Sequence, residues 1–298
     1  TFTNNGTLSV TAGTMNLSPS GTVTNSLGAS ITAGTGATLS IAPTTTFTND
    51  GTLVLGGAAH TIGTTNTTWT NTGSLALNSG TLTLNGPYTT AGLTSNLGAT
   101  HYTRAAGTTF NFNGTLTNSG TLDIGSAGIF GAGGLSSLGG SIIGGTLINS
   151  NTDPTLTSSN GALDTVTIGS NLSVTGTLFV RNTLTGNALT LGNLVNLNIN
   201  GNFLAFQTTG TQHIGTLGTS TISMSGGTIQ AGNSIANQIL TIDAGVTVQG
   251  FGALSQSSAA TIVNNGSVIG DTAGTFTINP ATFTNNGTLS VTAGTMNL

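Results

Sequence analysis

The sequence predicts an all-β fold, a parallel β-helix (β-solenoid) with coils of about 20–22 residues and about 13 coils per 281-residue unit. Three observations carry that prediction. Short runs alternate apolar and polar residues. An apolar residue followed by Gly-Thr-Leu recurs at steps near 20 residues. Charged residues, which a stack of like on like would set against one another, are only 3 % of the 298 residues.

The alternation is seen in Thr1-Phe2-Thr3, Thr7-Leu8-Ser9-Val10, Thr81-Leu82-Thr83-Leu84 and Leu197-Asn198-Ile199-Asn200. A period of two is the strand signature, and Thr and Val favour strands. Asn-Gly, Asp-Gly and Ser-Gly pairs separate the runs and are expected to supply positive φ at turns. Where Thr flanks Phe on both sides and points outward, Phe points inward. The predicted interior ladder is therefore Phe2, Phe47, Trp69, Tyr88, Phe110, Phe130, Phe203, Ile222, Ile242, Ile262 and Phe283. Register is lost between Phe130 and Phe203, where Leu156 and Leu178 are the nearest candidates and a loop insertion is expected near Asp153-Pro154.

A longer repeat encloses the short one. Residues 1–17, TFTNNGTLSVTAGTMNL, recur letter for letter as residues 282–298. This predicts a tandem array in which 1–281 is one unit and 282–298 opens an identical next unit. The chain begins at Thr1 without an initiator Met or a basic, apolar leader, and is expected to be an excerpt of something longer.

Composition excludes several functions. There are 63 Thr, 32 Asn, 28 Ser and 47 Gly, two Arg, no Lys, no Glu and no Cys. A P-loop needs Lys, and a zincin needs the Glu of its His-Glu motif. Nucleic-acid binding needs more phosphate-neutralising cations than Arg104 and Arg181. No disulfide framework or thiol nucleophile exists without Cys. No apolar run reaches the length of a membrane-spanning helix, so membrane insertion is not expected. Stacking accounts for the bias, because Thr, Ser and Asn set one above another can hydrogen-bond along the axis, whereas stacked Lys or Glu would repel.

The run Phe2-Thr3-Asn4-Asn5-Gly6-Thr7-Leu8-Ser9-Val10 resembles the repeats of large secreted bacterial β-helix proteins, the filamentous-haemagglutinin-type exoproteins and autotransporter passenger domains. The resemblance covers most of the chain apart from 135–200. It implies a right-handed parallel β-helix, export, and an extracellular or cell-surface location.

Candidate chemistry is sparse. Asp50, Asp123, Asp153, Asp164, Asp243 and Asp271 have no spacing that would stack two carboxylates, and turn or cap roles are expected. His60, His101 and His213 are far apart and expected to be exposed or in loops. No catalytic, metal or cofactor site is predicted, and enzymatic activity is not expected. The expected function is mechanical: a structural extracellular filament or stalk, of the kind found in a biofilm matrix. Its expected partners are further copies of itself, joined end to end, with lateral bundling as a further option. An adhesin that binds surfaces or glycans through loops near 145–185 is the alternative. An ice-binding Thr face comes third, because Thr-x-Thr pairs are common but unevenly spaced.

Overall fold

The computed structural model describes residues 1–298. Strand makes up 53 % and helix 3 %, in about 12 turns of parallel β-solenoid, so the single helix is an insertion into a β fold. The chain divides into two compact units, residues 1–141 with 150–152, and residues 142–149 with 153–298.

In the first unit each coil carries three strands. Phe2–Asn4, Thr7–Val10 and Thr14–Leu17 form one coil, and Thr22–Asn25, Ser30–Ala33 and Thr38–Ile41 the next. Through the first coils the strands pair in parallel with their counterparts one coil on, as in Val23↔Phe47, Ile31↔Leu53 and Leu39↔His60. Thr and Ser alternate outward while Val23, Ile31, Ile41, Phe47 and Leu53 are fully buried. The outward hydroxyls bond along the axis: Thr46 Oγ1 lies 3.1 Å from Thr68 Oγ1, and Thr81 and Thr109 are paired in the same way.

A buried polar ladder runs beside the apolar one. Asn4 Nδ2 donates to Asn25 Oδ1 (2.9 Å), Asn25 Nδ2 to Asn49 Oδ1 (2.7 Å), and Asn49 Nδ2 to Asn71 Oδ1 (2.7 Å). Each amide also donates to a carbonyl of the following coil, Ser30, Thr52 and Ser74 in turn. An amide suits this place because it both accepts and donates, so one residue type repeats without leaving a group unpaired.

The glycines two residues after these Asn do not have positive φ, contrary to the turn expectation. Gly51 and Gly73 are needed for close approach. A Cβ on Gly51 would meet the carbonyl oxygens of Ala29 and Ser26, and one on Gly73 the carbonyl of Gly51. Ser79-Gly80 does fit the turn expectation, with φ of 73° at Gly80.

The second unit keeps three faces per coil. Two of them merge in the long strands Ser220–Ala231 and Val246–Gln256. The first bends through a bulge between Ser225 and Gly227, with Gly226 at φ 76°. A six-residue loop, 149–154, lies at Asp153-Pro154 between strands Thr146–Ile148 and Thr155–Thr157, and residues 155–206 then form regular short strands. Leu156 stacks on Val174 and Leu178 on Leu204, both buried but on different faces. Coil length ranges from 17 residues at Thr165/Asn182 to 28 at Thr81/Thr109, wider than the 20–22 expected. Corners absorb the extra residues, which leaves strand register intact.

Candidate functional site

The predicted interior positions fall on several ladders rather than one. Phe47 and Trp69 are buried in the first sheet, their rings stacked at 6.5 Å and 5°. Phe2, half-buried on the edge coil, stacks on Val23 of the same sheet. Tyr88 stacks on Leu116, and Phe110 on Leu82 of another face. Phe130 comes from a loop and packs on Phe110 at 5.2 Å. Ile222 lies between Leu197 and Val248, Ile242 between Ile214 and Asn264, and Ile262 between Leu240 and the half-buried Phe283. Phe203 corrects the expectation: it is 42 % exposed, while Leu204 and Phe206 fill the interior. The alternation there is one residue out of phase with the step count, and a one-residue slip turns a side chain to the opposite face.

The ionisable groups are distributed as structural ties. Arg104 is half-buried and binds a loop, donating to the carbonyls of Thr108 (2.6 Å), Phe130 (3.0 Å) and Gly134 (2.5 Å). Asp164 is buried and accepts from the Thr183 amide and hydroxyl at 2.8 and 2.6 Å. His213 Nδ1 meets Asp243 Oδ1 at 2.8 Å, a pairing across 30 residues that the coil count did not suggest.

His60 is not in a loop; it lies inside, 1 % exposed, between Leu39 and Leu82. Its Nε2 accepts from the Gly57 amide at 3.0 Å, so the neutral ring carries its proton on Nδ1. Burial lowers its pKa below the ordinary value of 6.5. The unfolded chain therefore binds the proton more readily, and the stability contributed by neutral His60 is present above pH 6.5 and lost as pH falls below it. The thermal midpoint of the wild-type chain is expected to drop between pH 7 and pH 5 more than that of His60→Gln. Equal slopes in a pH series of melts would refute this.

The repeated segment forms a coil at each end of the numbering. Residues 1–17 pair with the coil that follows: Phe2↔Val23, Asn4↔Asn25, Leu8↔Ile31, Met15↔Leu39. Residues 282–298 pair with the coil that precedes: Phe283↔Ile262, Asn285↔Asn264, Leu289↔Val268, Met296↔Phe276. The same strands are thus paired on opposite edges in the two copies. The amide ladder keeps one direction in both, since Asn264 Nδ2 donates to Asn285 Oδ1 (2.7 Å) as Asn4 Nδ2 donates to Asn25 Oδ1 (2.9 Å).

The first unit contains one interruption, which sequence reasoning missed. Helix α1 (Thr90–Leu97) opens with Thr89 as N-cap, whose hydroxyl accepts from the Gly92 amide at 3.1 Å. Leu93 and Leu97, four residues apart, are buried against the core. Asn96 takes the place of the next strand. Its Oδ1 accepts from the Asn71 amide (3.0 Å), its Nδ2 donates to the Trp69 carbonyl (2.8 Å), and its own carbonyl accepts from Asn71 Nδ2 (2.8 Å). Thr68–Asn71 therefore ends its sheet, and Pro87–Thr89 begins another by pairing with Thr115–Thr117. The only hint in sequence is the Thr-Ala-Gly-Leu-Thr-Ser-Asn-Leu stretch, where period two gives way to leucines four apart.

A cavity of about 350 Å³ is left beside the helix, lined by Thr68, Trp69, Tyr88, Thr89, Gly92 and Thr117 among others. A second cavity, of about 360 Å³, is lined by Leu97, Tyr102, Ile129 and neighbours. The Trp69 Nε1 and Tyr102 hydroxyl groups are buried without a hydrogen-bond partner. Burial raises the phenol pKa of Tyr102 and of Tyr88, so both stay protonated.

No family model, curated protein or solved structure matches this chain. No helix is long and apolar enough to cross a membrane.

Proposed function

We propose that the protein is a structural repeat element, a stretch of β-solenoid in an extracellular filament or stalk whose units follow one another end to end. One observation carries the reading: the same seventeen residues pair with the following coil in one copy and with the preceding coil in the other, with matching strand positions and the amide ladder running from lower to higher residue number in both. A single coil of this sequence placed between two units would use both edges at once. Coil 260–278 would lead into it and coil 22–41 would continue from it. Each joint would then cover a sheet edge that otherwise offers unpaired amides and carbonyls. The near absence of charge and the resemblance of the Phe2–Val10 run to secreted β-helix repeats support an extracellular place.

The test is electron microscopy and fibre diffraction of a chain carrying several consecutive 281-residue periods. The expected result is an unbranched filament with a meridional reflection near 4.8 Å and an axial repeat on the order of 60 Å per unit. Separate folded beads joined by flexible links would overturn end-to-end continuity.

A further inference from the structure

We propose that the open edge of coil 282–298 docks on the open edge of coil 1–17 of a second copy of this chain, so that separate molecules join head to tail. The proposal rests on the end-to-end reading above and extends it from joints within one chain to joints between chains. In the first copy of the repeated segment, strands Phe2–Asn4, Thr7–Val10 and Thr14–Leu17 pair only with the coil that follows. In the second copy, Thr282–Asn285, Thr288–Val291 and Thr295–Asn297 pair only with the coil that precedes. Each molecule therefore carries two unpaired three-strand edges, one of each sense.

The match between these edges names the partner. Both are built from the same seventeen residues, so their strands and corners have equal lengths and all three strands can meet in register at once. Phe283 would lie on Phe2 as Trp69 lies on Phe47, with Leu289 on Leu8 and Met296 on Met15. The amides are complementary. Asn4 Oδ1 accepts only from the Gly6 amide, at 3.4 Å, and Asn285 Nδ2 donates only to the Gly287 carbonyl, at 3.2 Å. On the inner rungs the same two atoms are joined coil to coil at 2.7 Å, Asn25 to Asn49 and Asn49 to Asn71. Docking sets Asn285 Nδ2 against Asn4 Oδ1 and continues the ladder in its existing direction. Apolar surface is waiting to be covered as well, since Val291 is 46 % exposed where its twin Val10 is 7 % exposed. Neither edge carries a charge or a Pro, two of the devices that keep sheet edges from pairing.

The chain has no Cys, so introduced ones report which strands meet. Thr7→Cys and Thr288→Cys are made in separate preparations of the full chain and mixed under mild oxidation, so that a bond between the two forms only between molecules. Docked strands would set the two Cα atoms about 5 Å apart, within disulfide reach. The expected result is a mixed dimer of the two variants, with little of either homodimer, and for the unmodified chain a sedimentation mass that rises with concentration. Gly6→Ala is the blocking variant. Its Cβ has open space in the isolated chain, but in the joint it would meet the Gly287 carbonyl, as a Cβ on Gly287 meets the Gly266 carbonyl at 2.1 Å. It is expected to weaken association at least tenfold and to leave the melt of the dilute chain unchanged. A monomer at every concentration, or assembly that survives Gly6→Ala, would overturn the proposal. So would linkage of Thr7→Cys to Ser267→Cys, because Ser267 faces Thr288 within one chain and that bond would show the second copy replacing residues 282–298 rather than docking on them. Monomers of this chain beside continuous filaments of consecutive units would overturn this proposal alone. Flexibly linked beads beside the mixed dimer would support it and overturn continuity within the chain.

Discussion

Gly73→Ala is expected to destabilise its coil by about 3 kcal/mol, near the upper end for overpacking a filled site. The added methyl would overlap the Gly51 carbonyl, which accepts the Ser74 amide at 2.9 Å. Backbone cannot give way here as a flexible side chain would, because that carbonyl belongs to the ladder holding two coils together. Native-state hydrogen exchange resolves the effect coil by coil, and faster exchange of the Ser74 amide is the expected reading. The repeated segment supplies an internal control. Gly287 is similarly crowded, by Gly266, whereas Gly6, the same position in the first copy, has nothing within 4 Å of its would-be Cβ. Gly287→Ala should therefore be costly and Gly6→Ala should stay within about 0.5 kcal/mol. In a chain of consecutive units, Ala at the shared position of an internal joint should be as costly as at Gly287. Tolerance there would mean that the coil has no neighbour on that edge.

Asn49→Ala is expected to cost about 3 kcal/mol. Asn49 is fully buried, accepts from Asn25, and donates to Asn71 Oδ1 and the Ser74 carbonyl. Three hydrogen bonds are lost, and the Asn71 oxygen is left buried without its donor. Each net bond is worth about 1 kcal/mol, and an orphaned buried group adds to that. Asn49→Asp should be worse at neutral pH, because a carboxylate cannot donate and is buried. It should recover partly on acidification, when the neutral acid regains a donor. Asn5→Ala is the exposed comparison; its side chain accepts only from Ser26 Oγ, at 2.7 Å, and the loss should stay within about 0.5 kcal/mol. Urea melts of the three variants decide it. Equal, small losses at Asn49 and Asn5 would mean that the amide ladder contributes nothing beyond a turn.

The recurring Asn illustrates what was legible. It stands in Phe2-Thr3-Asn4, Phe47-Thr48-Asn49, Trp69-Thr70-Asn71 and Ile262-Val263-Asn264 in the same place each time. Sequence reasoning expected stacked Asn to hydrogen-bond along the axis but did not place it inside, although a residue two places after an inward aromatic also points inward. The signal was present in the alternation itself. His60 carried the same signal, two residues before the buried Ile62. The pairing of His213 with Asp243 carried none, since it depends on the length of one particular coil.

The sequence by itself determined the β-solenoid class, the inward phase of Phe47, Trp69 and Phe110, and the equivalence of residues 1–17 and 282–298. These follow from local alternation and from identity, which need no knowledge of distant neighbours. Only the tertiary structure decided which inward residues share a ladder, that Phe203 faces out, and that α1 parts Trp69 from Tyr88. Those depend on how many residues each corner absorbs. Corner length leaves almost no trace in a chain built so largely of Thr, Asn, Ser and Gly, because the same few residues serve both turns and strands.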